Sequence, residues 1–127
     1  MMNVFTAVAP FALLSIANAG PSINLEYYKD TGCSSTSLSA VSLSTPSSGC
    51  SACTNLPDAG VSFHIGSPAS EKQIPQGCEV VGYAQKGCKG QINLQIQGPS
   101  NAGTCYASDR NSGDVYYTVA SVRLLCL

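Results

Sequence analysis

Between Gln91 and Gln97 apolar and amide side chains alternate without a break, so Ile92, Leu94 and Ile96 are expected to face a core while the amides face water. Val61-Ser62-Phe63-His64-Ile65 alternates in the same way and should turn His64 outward beside Ser62. Ile23 to Tyr28, Glu79 to Tyr83 and Val115 to Leu125 are rich in β-branched and aromatic residues and also read as strands. Gly and Pro interrupt the chain at short intervals, as at Gly32, Gly49, Gly60, Gly66, Pro68, Pro75 and Gly98-Pro99. No stretch of helical length carries the 3.6-residue period of an amphipathic helix, and the pattern predicts an all-β protein.

The first residues follow a different rule. Val4 to Ile16 is a mostly apolar run ending at Ala17-Asn18-Ala19, the layout of a secretory signal peptide over residues 1–19, with the mature domain spanning 20–127. The run is shorter than the roughly 20 apolar residues of a membrane span, Pro10 breaks it, and no basic residue flanks it. No later segment is long and apolar enough to span, and no Asn-x-Ser/Thr sequon occurs. The expected location is extracellular, with the apoplast of a host as one setting.

Composition narrows the function classes. With 127 residues and 44% apolar side chains, the chain suffices for one domain with a core. Charged residues make up only 10% and the formal net charge is −1, which supplies no basic face for nucleic acid or for an anionic membrane. Seven cysteines point to an oxidising compartment.

The mature chain divides into two similar halves, residues 23–66 and 79–127. Tyr28 is followed by Gly32-Cys33, and Tyr83 by Gly87-Cys88, at the same spacing; each half then closes on a Ser-initiated strand, at Ser62 and Ser121. Thr31 to Thr54 is rich in Ser and Thr, but Leu38, Val41 and Leu43 interrupt it, which reads as polar strands and loops rather than a glycosylated stalk. Gly66 to Gly77 reads as the connector between the halves.

Tyr83, Cys88, Gly90 and Ser121, with Tyr28, Cys33 and Ser62 as their counterparts, resemble the signature of the βγ-crystallin Greek key. The resemblance implies two Greek-key motifs forming a small β-sandwich, with a positive-φ Gly in each folded hairpin; Ser35 stands where the first of these glycines is expected. The layout is also similar to small secreted cysteine-rich proteins of filamentous fungi, through Cys53-Thr54-Asn55-Leu56, the Pro-containing link and the closing Ser121-Val122-Arg123-x-x-Cys126. That resemblance implies a non-enzymatic effector or elicitor that binds a host protein or a cell-wall component during plant–fungus interaction. An antimicrobial or killer-toxin-like protein is the alternative, and a protease inhibitor acting through residues 66–77 a third.

Cys33 to Cys50 and Cys88 to Cys105 span equal distances, so the repeat suggests Cys33–Cys50 and Cys88–Cys105 within the halves, Cys78–Cys126 across the link, and Cys53 unpaired. Bonding of Cys53 to Cys33, with Cys50 free, is the other arrangement considered. Either odd thiol allows a disulfide-linked homodimer. Cys50-Ser-Ala-Cys53 has the C-x-x-C form but neither the βαβ setting of a redox site nor a second ligand pair for zinc.

Catalytic and metal motifs are weak. His64 has no nucleophile or acid near it in sequence. Glu26, Asp30, Asp58, Glu71, Glu79, Asp109 and Asp114 form no glycosidase pair. Microbial crystallin-like domains often bind calcium, but the matching positions are Tyr116, Tyr117, Pro57 and Asp58, of which only Asp58 is an oxygen ligand. Asp109-x-Asn111-x-Gly113-Asp114 reads as turn chemistry and Lys86 with Lys89 as a solvated hairpin tip. No enzyme activity, metal or cofactor is expected.

Overall fold

The computed structural model describes residues 22–44, 49–65, 73–101 and 103–127. The expected signal peptide, and most of the Gly66–Gly77 connector, lie outside the described residues. Nine strands are described: β1 (Ser22–Tyr28), β2 (Ser39–Ser44), β3 (Gly49–Cys50), β4 (Thr54–Gly60), β5 (Ser62–Ile65), β6 (Cys78–Gln85), β7 (Lys89–Gln97), β8 (Cys105–Ala107) and β9 (Val119–Cys126). The described residues contain no helix, so the all-β expectation holds.

The strands form two antiparallel sheets. One runs β2-β1-β5-β8; the other runs β3-β9-β6-β7, with β4 continuing beside β9. Strands β2, β1 and β5 belong to the first half of the chain and β8 to the second. Strands β9, β6 and β7 belong to the second half, and β3 and β4 to the first. The first half therefore lends β3 and β4 to the sheet of the second, and the second lends β8 to the sheet of the first.

A single core lies between the sheets. Ile23, Leu25, Tyr27, Leu43, Phe63 and Ile65 come from one, and Leu56, Val80, Leu94, Ile96, Val119, Val122 and Leu124 from the other. Leu25, Tyr27, Phe63, Val122 and Leu124 are wholly excluded from solvent. Full burial of such side chains is worth about 1.5–3 kcal/mol each. Gly82 is crowded by its own sheet: a Cβ there would sit 2.8 Å from Val119 Cγ1 on β9 and 2.9 Å from Leu94 Cβ on β7. The close approach explains a glycine inside a strand that is otherwise β-branched and aromatic.

The alternation of β7 holds at Leu94 and Ile96 but fails at Ile92, which is 43% exposed. The β6–β7 register slips by one residue between Gly82↔Leu94 and Tyr83↔Ile92, leaving Asn93 as the extra residue. Asn93 turns inward and donates from Nδ2 to the Thr118 carbonyl at 2.8 Å, and Ile92 turns outward. The expected strand from Val115 is also shorter, beginning at Val119, with Val115 exposed.

The β1–β2 and β6–β7 turns are held in the same way. Ser62 Oγ donates to the Asp30 carbonyl at 2.6 Å and accepts from the Cys33 amide at 3.0 Å. Ser121 Oγ donates to the Gln85 carbonyl at 2.6 Å and accepts from the Cys88 amide at 2.9 Å. Both hydroxyls are fully buried, which corrects the expectation that Ser62 flanks His64 at the surface. Cys33 and Cys88 both adopt positive φ, 53° and 55°. Gly90 has φ +83°, as the resemblance implies, whereas Ser35 is not among the positive-φ residues. In the first half the Asp30 carboxylate organises the turn instead, accepting from the backbone and hydroxyl of both Ser34 and Ser35.

The bridges are Cys33–Cys105, Cys53–Cys88 and Cys78–Cys126, and Cys50 is free and exposed. Two expected bridges, Cys33–Cys50 and Cys88–Cys105, and the unpaired Cys53 are thereby corrected. The strand exchange is the reason: β8 lies beside β5, so Cys105 meets the turn of the first half, and β4 lies beside β9, so Cys53 meets the turn of the second. Sequence separations of 72 and 35 correspond, on the chain-entropy account, to about 4 kcal/mol for each bridge taken alone.

Ser62→Ala and Ser121→Ala should each destabilise the domain by about 1–3 kcal/mol, because each strands a buried amide and a buried carbonyl. Urea denaturation of the oxidised protein measures this, and equal losses are expected from the two equivalent positions.

Candidate functional site

Ile23, Leu25 and Tyr27 of β1 point inward, which leaves Glu26 and Tyr28 on the outer face. The β1–β5 register sets Glu26 opposite His64. His64 Nδ1 lies 4.0 Å from Glu26 Oε1, and Tyr28 Oη donates to the same oxygen at 2.8 Å. Side-chain exposures of 20% for His64 and 24% for Glu26 make this a partly sunken patch rather than a solvated surface. No acid lies near His64 in sequence; the sheet supplies Glu26. Directly across from His64 on β8 stands Cys105, which is bonded to Cys33 and so offers no thiolate. A phenol, a carboxylate and an imidazole in one patch can donate, accept and neutralise charge, which suits recognition of a polar partner.

Burial raises the Tyr28 phenol to about 12, and the hydrogen bond to Glu26 and the nearby negative charge of Glu26 and Asp30 add to the effect. The Asp30 carboxyl is held well below the usual carboxylate range, first by the Ser34 hydroxyl and then by that of Ser35. It therefore remains an anion and keeps the Ser34–Ser35 turn in place down to strongly acidic pH.

Two loop segments adjoin the Cys33–Cys105 bridge. The start of Ser34–Ser48 follows Cys33, and Gly98–Gly103 leads into Cys105; residues 45–48 and 102 lie outside the described residues. In Ser108–Asp114, the Ser108 amide donates to the Val61 carbonyl and the Asp109 amide to the Asn93 carbonyl, both at 2.8 Å. Asn111 Oδ1 accepts from the amides of Gly113 and Val115, and Asp114 lies 3.5 Å from Arg110. These oxygens serve the turn itself, the structural use of an Asp-x-Asn-x-Gly sequence. Among the described residues no group of three or more His, Cys, Asp or Glu side chains is placed to hold a metal ion.

The outer face of the second sheet carries different chemistry. Arg123 Nε donates to Tyr83 Oη at 2.9 Å, and its guanidinium lies 5.4 Å from the Tyr83 ring centre. Lys86 and Lys89 are exposed at the β6–β7 turn, which the Cys53–Cys88 bridge and a 2.8 Å bond from the Gly87 amide to Asn55 Oδ1 fix in place.

The Tyr28 environment has a measurable consequence. Since folding raises this phenol, its contribution to stability is complete below the ordinary tyrosine value and is lost as pH rises through about 12. Alkaline difference absorbance should show a late-ionising component that Tyr28→Phe removes and Glu26→Gln brings partly down.

Compared with protein-family models, curated proteins and solved structures, the chain matches none of them, so its functional reading rests on its own residues.

Proposed function

We propose that this protein is a secreted, non-enzymatic effector or elicitor that binds a host component, a protein or cell-wall constituent, in plant–fungus interaction. The observation that carries the reading is the crossed pair of bridges, Cys33–Cys105 and Cys53–Cys88. Each anchors the turn of one half to the exchanged strand of the other, a staple that holds the sandwich independently of the sequence of the loops beside it. The leader expected over residues 1–19 supports export, as do three disulfides, which persist in oxidising surroundings. Among the described residues no helix is long and apolar enough to cross a membrane.

The architectural reading is a βγ-crystallin-like pair of Greek keys. It is supported by the exchanged third strands and by the matching Ser62 and Ser121 hydrogen bonds at the folded turns. Cys50 replaces Cys53 as the thiol through which two copies would join, being exposed on the edge strand β3.

Deletion of the gene in its source organism tests the function. Normal growth in culture with weakened host colonisation is expected. Unchanged colonisation with poorer competition against other microbes would overturn the effector reading in favour of a toxin.

A further inference from the structure

A pocket of about 240 Å³ opens at the end of the second sheet, where the last residues of β7 and β9 meet the start of β6. Register places Cys50, Leu125, Glu79 and Gln97 side by side across β3, β9, β6 and β7. Their neighbours Cys126, Cys78, Val80 and Ile96 are buried, so this row occupies the outer face. Glu79, Gln97, Leu125 and Leu127 line the pocket, and a 2.9 Å bond from the Leu127 amide to the Gly77 carbonyl holds its outer wall.

The charge on Glu79 is left uncompensated. Its carboxylate has no ion-pair or hydrogen-bond partner among the described residues. Arg123, one step along the same face, is committed to Tyr83 through both its Nε hydrogen bond and its ring contact. Lys86 and Lys89 stand at the opposite end of β6 and β7. A half-buried anion beside the half-buried Leu125, with Gln97 and the exposed Leu127 at the rim, calls for a cation with an aliphatic stem.

We infer that this pocket is a docking point for a lysine or arginine side chain of a partner protein. The cationic head pairs with Glu79 and donates to the Gln97 amide oxygen, and the methylene stem lies on Leu125, with the exposed Leu127 at the rim. The volume supports a single side chain, because it falls below the roughly 300–1,000 Å³ of small-molecule sites. The partner's role in a host rests on the binding function proposed above, but the chemistry of the pocket is testable without it.

The experiment titrates the full oxidised chain, labelled with ¹⁵N, with Nα-acetyl-lysine amide and Nα-acetyl-arginine amide, using Nα-acetyl-norleucine amide as the uncharged control. Saturable millimolar shifts at the amides of Gly77, Glu79, Gln97 and Gly98 are expected with the two cations alone. Glu79→Gln should weaken binding about tenfold or more while leaving the rest of the spectrum in place. Absence of saturable shifts, equal shifts with norleucine amide, or unchanged binding in Glu79→Gln would overturn the assignment. Failure here with weakened colonisation on gene deletion removes only the pocket, whereas success here with normal colonisation removes only the effector reading.

Discussion

The exchange of strands between halves is the constraint from which the rest of the structure follows. β4 hydrogen-bonds to β9 and β8 to β5, so neither sheet is complete within its own half of the chain. Such pairings are long-range and costly in chain entropy. They are compensated by the shared core between the sheets and by two bridges placed where the exchanged strands pass the turns. The buried hydroxyls of Ser62 and Ser121 complete the arrangement by tying each turn to the last strand of its own half. Covalent and hydrogen-bonded restraints thus converge at the same two turns from opposite directions.

Much of this was legible in the sequence because a half-buried strand writes its burial into alternate residues. Leu94, Ile96, Phe63 and Ile65 were placed correctly for that reason. Ile92 was not, since a one-residue bulge reverses every side chain beyond it and nothing in QINLQIQ marks where the slip occurs. Strands β3 and β8 span only two and three residues, too few for a periodic pattern to show, while β2 falls in the Ser- and Thr-rich segment read as polar strands and loops. The equal spacings of Cys33–Cys50 and Cys88–Cys105 reflect the repeat and not contacts. In an exchanged fold, equivalent positions belong to opposite sheets. The patch of Glu26, Tyr28 and His64 was hidden for a related reason, because only the β1–β5 register brings its members together.

The two outer faces have diverged on one scaffold. Tyr28 and Tyr83 occupy equivalent places, yet the first donates to a carboxylate beside a histidine and the second accepts from an arginine. The pocket at Glu79 adds an anion to the second face, at the end away from Arg123. Such divergence changes what a surface recognises while leaving the core and the bridges untouched.

The most direct test of the interlocked halves is to cut the chain between them. A protease site introduced between residues 66 and 72 should, after cleavage, yield one species of full mass without reductant, since Cys33–Cys105 and Cys53–Cys88 both join the fragments. Reduction should then release two fragments. Separation of the fragments before reduction would contradict the account, because it would mean that the bridges close within the halves.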